Sequence, residues 1–269
     1  MPRHGFQMCN VWDEKKHPGN AIAELKYDGM LVLAEDGRLW NRPREGKAPR
    51  DVTAYFPEIR VHENVTAVGE LAILKDGISQ FHMLLRRLVE NPKDVRLRSV
   101  LYPATLVAFD LLELNGQDLQ GDPLSVRRKA LEGLEHSKAL NGHVHVADFW
   151  GCPPEKVPEY LELVRGMGGE GVVVKDLDAP YSPKRSDAWL KVKAWETIDL
   201  DVQGHVVTEK GAVNALIVHQ GRQQEIVVGD RDLAAKVMAG KVKRLTIRYL
   251  RVEESGALYE AHVHGVPWD

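Results

Sequence analysis

Several short apolar runs of this chain each contain a single charged residue, and this pattern limits the possible folds more than any other feature. The runs that end in Lys26, or that contain Glu70 and Asp110, are rich in Ala, Val, Leu and Ile, as is typical of buried strands. A buried charge is costly unless it is paired, so each of these residues needs a partner. We therefore expect the charged strand ends to meet in one cleft, where acids can bind metal ions and cations can bind phosphates.

The segment Glu24-Leu25-Lys26-Tyr27-Asp28-Gly29 places a lysine between two carboxylates at the end of an apolar strand. Asp28-Gly29 precedes a second apolar run, Met30 to Leu33, and Asp-Gly between two apolar runs predicts a β-hairpin. A lysine fixed at a strand end can act as a nucleophile if its amine is kept unprotonated. On this segment alone, a solvated lysine at the rim of a hairpin is the simpler interpretation, because Lys-x-Asp-Gly is short and common.

The chain up to Thr197 mixes helical and strand periodicities, which predicts an α+β domain over residues 1–197. Gly69-Glu70 interrupts an apolar strand, and a glycine there indicates a bulge or a close approach by another group. Ser79 is expected to cap a helix from Gln80 to Val89. Further strands are predicted at 106–112, 144–149, 170–175 and 188–193, and helices at 124–134 and 154–167.

From Ile198 onward the chain changes to short strands at close spacing, with one predicted helix near residues 232–238. Short strands and one helix within about seventy residues predict a small all-β barrel of the oligonucleotide-binding (OB) type over residues 198–269. The linker would be Trp195-Glu196-Thr197, which is short enough for the two domains to share a cleft.

Composition gives further expectations about compartment and partners. No apolar run approaches the roughly 20 residues that a membrane-spanning helix needs, and the two cysteines, Cys9 and Cys152, form no Cys-x-x-Cys pair. We therefore expect a cytoplasmic protein. The net charge is −3, yet residues 230–251 contain seven basic and two acidic residues. Such a cluster can bind a phosphate backbone, and it can equally be a basic surface that only contacts solvent.

The charged segments, taken in order, are similar to the motifs of a known family. Lys26-Tyr27-Asp28-Gly29 looks like nucleotidyl motif I, Gly69-Glu70-Leu71 like motif III, and Phe109-Asp110 like the motif after it. Glu170 to Lys175 is similar to motif IV, and Trp189-Leu190-Lys191-Val192-Lys193 to motif V. Over nearly its whole length the chain resembles the ATP-dependent DNA ligases in a minimal two-domain form. These enzymes are covalent nucleotidyltransferases, as are RNA ligases and mRNA capping enzymes.

The resemblance implies a role for each matching residue. Lys26 would attack the α-phosphorus of ATP and hold AMP as a phosphoramidate, which requires nearby cations or a metal ion to lower its pKa. Glu24 would hold the adenine edge, Phe109 would stack on the base, and Glu70 would contact the ribose or a metal-bound water. Glu170 would position Mg2+ or Mn2+, so Glu70 and Glu170 are the expected metal ligands. The expected catalytic residues are Lys26, Asp28, Lys191 and Lys193, and Arg42 would neutralise phosphate charge together with Lys191 and Lys193.

The implied partner is nicked duplex DNA, which a monomer would contact through two basic segments. AMP would pass to the 5′-phosphate of the nick, and the 3′-hydroxyl would then displace it. No separate DNA-binding domain is expected before Lys26, so the two domains would hold the duplex themselves. The expected DNA-binding residues are Arg42, Lys184, Arg185, Lys241, Lys243, Arg244 and Arg248.

Two departures from the family pattern leave alternatives open. Leu31 stands two residues after the motif I glycine, where the family usually has an arginine. The chain ends in His264-Gly265-Val266-Pro267-Trp268-Asp269, without the arginine of motif VI, so Arg248 or Arg251 would have to replace it, or self-adenylylation would be slow. The alternatives are an RNA ligase, a capping-type nucleotidyltransferase, or a nick-binding protein that has lost turnover.

Overall fold

The computed structural model describes residues 1–136 and 142–267. Contacts divide the chain into two compact units, residues 1–192 and residues 193–269. Across the described residues, no helix has both the length and the apolar character to cross a membrane.

In residues 1–136 and 142–192, the first unit contains two main β-sheets and four α-helices. Its helices are α1 Phe81–Leu85, α2 Pro92–Leu101, α3 Leu124–His136 and α4 Val157–Gly166, and short 3-10 helices lie at Glu14–Lys16, Thr53–Tyr55 and Pro154–Lys156. Its strands are β1 Met8–Val11, β2 Ala21–Leu25, β3 Met30–Glu35, β4 Arg38–Asn41, β5 Val65–Ala72, β6 Leu74–Lys75, β7 Ile78–Ser79, β8 Thr105–Leu114, β9 Gln117–Asp118, β10 Val144–Val146, β11 Phe149–Gly151, β12 Gly171–Asp176 and β13 Arg185–Lys193.

The two sheets of this unit pack against each other. The first sheet has the strand order β1-β13-β12-β2-β11, and the second has the order β10-β8-β5-β3-β4 with β9 paired to β8. Leu33, Val68 and Leu112 of the second sheet pack against Val173 and Trp189 of the first. The outer face of the first sheet is covered by α4, and that of the second sheet packs against further apolar side chains, including those of α1 and α3.

Strand alternation places the charged residues of the motifs between the sheets. In β2, Ala23 and Leu25 point into the cluster that α4 covers, so Glu24 and the following Lys26 point to the opposite face. In β12, Val172 and Val174 belong to that same outer cluster, so Lys175 also points between the sheets. Glu24, Lys26 and Lys175 therefore share the space between the sheets of the first unit.

The hairpin predicted at Asp28-Gly29 is wrong. β2 pairs with β11 and β12, whereas β3 pairs with β4 and β5, so the chain crosses from one sheet to the other at this point. Gly29 is needed for close packing: a Cβ atom there would lie 2.2 Å from the carbonyl oxygen of Leu71 and 2.9 Å from Cγ of Glu70. The glycine next to Lys26 thus allows one sheet to approach the other.

Other predicted elements differ in extent. The helix predicted from Gln80 to Val89 is only α1, and its N-cap is Gln80; the Ser79 hydroxyl instead accepts a hydrogen bond from the Asp28 backbone N–H at 2.8 Å. The single strand predicted at 144–149 is split into β10 and β11, which belong to different sheets. Sequence reasoning also missed β1, which pairs in parallel with β13, and α2.

Gly69 lies at a bulge, as the sequence predicted. The register between β5 and β8 shifts between Val68 and Gly69. A Cβ atom on Gly69 would also lie 2.6 Å from the carbonyl oxygen of Val107, so the adjacent strand approaches closely here. Both features position Glu70, the next residue, at the edge of the space between the sheets.

The described part of the second unit, residues 193–267, contains β14 Glu196–Val207, β15 Val213–His219, β16 Arg222–Val227, α5 Arg231–Met238, β17 Arg244–Tyr249, β18 Arg251–Val252, β19 Leu258–Tyr259 and β20 His262–Gly265. Five of these strands form an antiparallel sheet in the order β16-β15-β14-β17-β20, and β18 pairs separately with β19. The core of the unit includes Ile217, Leu245 and Ile247. The residues of the predicted linker lie at the start of this unit, and β14 already begins at Glu196.

The close approach at Gly29 predicts a stability effect that conformational freedom alone would not produce. We expect Gly29→Ala to lower the free energy of unfolding by about 1–3 kcal/mol, because the methyl group would overlap backbone atoms of Leu71. The matched control is Gly19→Ala, where an added Cβ would meet nothing within 4 Å. Urea unfolding of both variants checks this, and equal midpoints for the two variants would contradict the packing role of Gly29.

Candidate active site

Lys26 is held by an acidic residue from the neighbouring strand segment. Its backbone N–H donates to the Gly171 carbonyl at 2.8 Å, which extends the pairing of β2 with β12 by one residue. Its side-chain Nζ lies 2.5 Å from Oε2 of Glu170, and the Glu170 side chain is almost completely buried. The first residue of motif IV therefore fixes the position of the motif I lysine.

Glu70 lies in the same electrostatic neighbourhood. Burial raises the pKa of its carboxyl to about 8, and the negative charges of Glu170 and Asp28 act in the same direction. The positive charges of Lys26 and Arg42 oppose this shift in the pKa of Glu70. Lys26, Asp28, Arg42 and Glu170 are thus all within electrostatic reach of Glu70.

Leu31, where the family pattern has an arginine, lies directly opposite Glu70. The two residues are register partners in the antiparallel pair β3 and β5, and Leu31 packs against the apolar cluster between the sheets. The backbone N–H of Arg42 donates to the Leu31 carbonyl at 2.9 Å. Arg42 is exposed, and its Nη1 lies 3.5 Å from Sδ of Met8. A guanidinium therefore reaches this side of the site from the end of β4 and not from position 31.

Glu24 is buried between two cations. Its Oε1 accepts a hydrogen bond from Nη1 of Arg128, and its Oε2 lies 2.6 Å from Nζ of Lys175. The side chains of Glu24 and Lys175 are 3% and 2% exposed, so this is a buried pair and not a surface contact. Burial lowers the pKa of Lys175, while the adjacent Glu24 carboxylate raises it.

Phe109 has its ring next to this pair. The Lys175 ammonium lies 4.1 Å from the centroid of the Phe109 ring and 4.5 Å from that of Trp189, both within the range of cation–π attraction. Phe109 and Trp189 contact each other edge to face, with ring centroids 5.6 Å apart. Trp189 is buried in the core of the first unit, whereas Phe109 is half-buried and retains accessible ring surface.

The two lysines of motif V have different surroundings. Lys191 is half-buried in β13, and its charge lowers the pKa of Cys9, as do the charges of Lys175 and Lys26, although burial raises that pKa overall. Lys193 belongs to the second unit, where its ammonium forms an ion pair with Glu260. Lys191 and Lys26 therefore both act electrostatically on Cys9 in the first unit, whereas Lys193 lies in the second unit.

The predicted DNA-binding residues are mostly exposed in their own units. Lys184 and Arg185 precede or begin β13, and Arg185 donates to the Cys9 carbonyl. In the second unit, Arg244 forms a solvent-exposed ion pair with Asp201 at 3.3 Å, which contributes little stability. Lys241 and Lys243 are exposed.

The two candidates for the missing motif VI arginine are both stacked on aromatic rings. The Arg248 guanidinium lies 4.8 Å from the Trp195 ring centroid. Arg251 lies 3.9 Å from the Tyr259 ring centroid and pairs with Glu253 at 3.1 Å. The terminal residues Trp268 and Asp269 of the same motif lie outside the described residues.

The carboxylates suit a metal ion that also binds substrate oxygens. Within residues 1–136 and 142–267, no group of three or more His, Cys, Asp and Glu side chains is close enough to hold a metal ion by itself. Magnesium, however, is commonly bound by one or two carboxylates together with substrate phosphates and water. Glu70 and the buried Glu170 interact electrostatically, and two neighbouring carboxyl groups suit a divalent cation. Glu70 and Glu170 therefore fit such an ion.

Sequence reasoning missed three residues that organise this site. Lys175 was visible as a basic residue at the end of an apolar strand, but nothing in the sequence paired it with Glu24. Arg128 lies in an amphipathic helix, where a polar residue is expected to face solvent. The sequence therefore did not predict that Arg128 is buried. Ser79 was predicted to cap a helix, yet its hydroxyl accepts a hydrogen bond from the backbone N–H of Asp28.

Comparison with known proteins places most of the first unit in one family. Residues 10–193 match the family model described as the ATP dependent DNA ligase domain. The chain is 34% identical over 203 residues to a DNA ligase of Haloferax volcanii, an alignment that covers 69% of this chain and 33% of that protein. It is 32% identical over 202 residues to the multifunctional non-homologous end joining DNA repair protein LigD of Mycobacterium tuberculosis, covering 70% of this chain and 23% of LigD.

The structure is also similar to a solved ligase over nearly its full length. A Lig E DNA ligase superimposes with a TM-score of 0.76 at 21% sequence identity, covering 98% of this chain and 99% of the other. This likeness establishes a shared fold. These two relatives are longer proteins, and the alignments span 33% and 23% of their length.

The pKa of Glu70 predicts how stability depends on pH. Because burial raises this pKa from 4.5 to about 8 in the folded state, the stability that Glu70 contributes is fully present below pH 4.5 and is lost as the pH rises through 8. We expect Glu70→Gln, which keeps the shape of the protonated acid, to flatten this decline. Urea unfolding across that pH range in a chelating buffer measures it, and parallel stability curves for the two proteins would contradict the raised pKa.

Proposed function

Since the chain belongs to the ATP-dependent DNA ligase family, we propose that it seals nicks in duplex DNA through an AMP intermediate on Lys26. The observation that carries this proposal is the position of Lys26, whose amine lies 2.5 Å from buried Glu170 and within electrostatic reach of Glu70 and Arg42. A fixed amine among acids and cations suits phosphoryl transfer, which depends mainly on positioning and charge.

In the first step, the Lys26 amine attacks the α-phosphorus of ATP, an N–P bond forms, and pyrophosphate leaves. Lys26 must lose a proton before it attacks, and its Nζ is in direct contact with the Glu170 carboxylate. Arg42 and Lys191 balance the phosphate charge, and Phe109 offers a half-buried ring for the base. Bound magnesium, held by Glu70 and Glu170, would supply additional positive charge to the phosphate oxygens.

In the second and third steps, AMP is transferred to the 5′-phosphate of the nick, and the 3′-hydroxyl then displaces AMP to form the phosphodiester bond. Asp28, whose backbone N–H donates to Ser79, belongs to the same acidic group around Lys26. We propose that the protein acts as a monomer, with residues 1–197 as the nucleotidyltransferase domain and residues 198–269 as an OB-type domain. Five antiparallel strands and one helix support the OB assignment.

The exposed basic residues of both units support nicked duplex DNA as the substrate. Lys184, Lys241 and Lys243 are exposed, and contacts of such residues with phosphates carry no sequence information, as suits an enzyme that acts at any nick. Cys9 and Cys152 are both free thiols, which supports a reducing compartment such as the cytoplasm.

Covalent labelling tests the first step. With ATP labelled at the α-phosphate and magnesium, we expect stable label on the wild-type protein and none on Lys26→Arg, which keeps the charge but lacks a nucleophilic amine. Lys156→Arg is the matched control, because this exposed lysine pairs only with Glu159 among the described residues. Sealing of a nicked duplex by the wild type, and not by Lys26→Arg, checks the complete reaction.

Three outcomes would change the assignment. Label on Lys26→Arg equal to that on the wild type would place the nucleophile elsewhere. Tight binding of nicked duplex without any label from ATP or GTP would identify a nick-binding protein without turnover. Sealing of nicked RNA but not of nicked DNA would identify an RNA ligase.

The salt dependence of binding tests the role of the basic residues. If Lys243 contacts a phosphate, Lys243→Gln should weaken binding to nicked duplexes of any sequence and reduce the slope of log K against log [salt] by about one. Lys243→Arg keeps the charge and should keep the slope. Fluorescence anisotropy across a salt series measures both, and an unchanged slope for Lys243→Gln would remove Lys243 from the interface.

A further inference from the structure

Arg128 is a buried arginine that the ligase mechanism above does not use. It lies in the second turn of α3, and its side chain is only 4% exposed. Buried arginines are rare unless their donors are satisfied by specific partners. The partners of Arg128 therefore indicate what its burial achieves.

The guanidinium of Arg128 is held on several sides. Nη1 donates to Oε1 of Glu24, and Nη2 donates to the backbone carbonyl of Ala147. Nε lies 3.4 Å from the carboxylate of Glu132, and the guanidinium lies 4.6 Å from the Phe149 ring centroid. This set of contacts fixes the plane of the guanidinium, which in turn fixes the Glu24 carboxylate.

Glu24 keeps acceptor capacity after these contacts are made. An ionised carboxylate has about four lone-pair sites, and Arg128 and Lys175 each donate to one oxygen. Through Lys175, Glu24 adjoins the ring of Phe109, which lies 4.1 Å from the Lys175 ammonium. Lys175 thus links the Glu24 carboxylate to the ring on which a base would stack, which makes Glu24 the candidate acceptor for the edge of that base.

We propose that Arg128 is a positioning residue that holds the Glu24 carboxylate as a hydrogen-bond acceptor for the base and thereby sets the preference for ATP over GTP. This inference rests on the proposed function, in which Glu24 and Phe109 bind the base. The 6-amino group of adenine donates to a carboxylate, whereas the 6-oxo group of guanine is itself an acceptor and is repelled. A site built to pair with one polar group rejects an analogue that lacks it, because the buried groups are then left unpaired.

Arg127, the preceding residue, provides a matched control. It is equally buried, with a side chain 1% exposed, and forms a two-point ion pair with Asp110 at 2.7 and 2.8 Å. Its remaining hydrogen bonds go to backbone carbonyls, including that of Ala179 at 3.2 Å, and none goes to Glu24. A lysine at either position keeps the charge and loses the planar fork, so the two variants disturb the same helix in comparable ways.

The test compares Arg128→Lys with Arg127→Lys in the full chain. Titration with α,β-methylene-ATP and its guanine counterpart measures base recognition without transfer, and labelling of Lys26 gives KM and kcat for each nucleotide. For Arg128→Lys we expect the ATP-to-GTP preference to fall about tenfold or more through KM, with kcat for ATP little changed. Arg127→Lys should lower the unfolding midpoint and keep the preference of the wild type.

A second variant keeps the inference testable if Arg128→Lys does not fold. Glu24→Gln has nearly the same shape, but its amide can donate to the guanine oxygen, so the preference for ATP should fall in this variant too. In the double variant, Arg128→Lys should cause little further loss, because the two residues act through one contact. Full retention of the ATP preference in Glu24→Gln, or in folded Arg128→Lys, would overturn the inference.

Failure of this inference is distinguishable from failure of the proposed function. If the wild-type protein acquires no label from any nucleotide, the ligase proposal fails. If the wild type is labelled with a preference for ATP, and Arg128→Lys and Arg127→Lys keep that preference equally, the ligase proposal stands and Arg128 is a structural residue only.

Discussion

Charged side chains between two packed β-sheets are stable only when each has a counter-charge nearby, and the first unit is arranged around this requirement. The pairs are Glu24 with Arg128 and Lys175, Asp110 with Arg127, and Lys26 with Glu170. Arg127 and Arg128 of α3 pair with Asp110 in the second sheet and Glu24 in the first, so these two pairs fix the helix relative to both sheets. Removing one partner would leave an uncompensated buried charge, which is strongly destabilising.

The position of Lys26 follows from where the chain crosses between the sheets. β2 ends in the first sheet at Leu25 and β3 begins in the second at Met30, so Lys26 lies at the crossing and can meet groups from both. The crossing is tight because Gly29 lets the backbone approach Leu71 more closely than any side chain would allow. Backbone packing therefore delivers the amine to a place where acids of both sheets gather.

The sequence predicted the strands and their charged residues well, because alternation and burial are local signals. It failed where long-range pairing decides: Asp28-Gly29 has the chemistry of a hairpin turn, yet β2 finds its partners in β11 and β12, more than a hundred residues later. The burial of Arg127 and Arg128 could not be predicted from the sequence either. In an amphipathic helix they belong to the polar pattern, and only the tertiary fold turns them inward towards Asp110 and Glu24.

The charge balance of the site bears on the nucleotide binding that we propose. Glu170 neutralises Lys26, and Glu24 neutralises Lys175, so these cations already have partners when no phosphate is bound. In the proposed reaction, a triphosphate would add several negative charges and would compete with Glu170 for the Lys26 ammonium. A divalent cation beside Glu170 would supply that carboxylate with another counter-charge, and the exposed Arg42 would add positive charge by turning towards the phosphates. Glu170, which holds the amine at rest, is therefore the carboxylate whose charge must be balanced when Lys26 turns to the nucleotide.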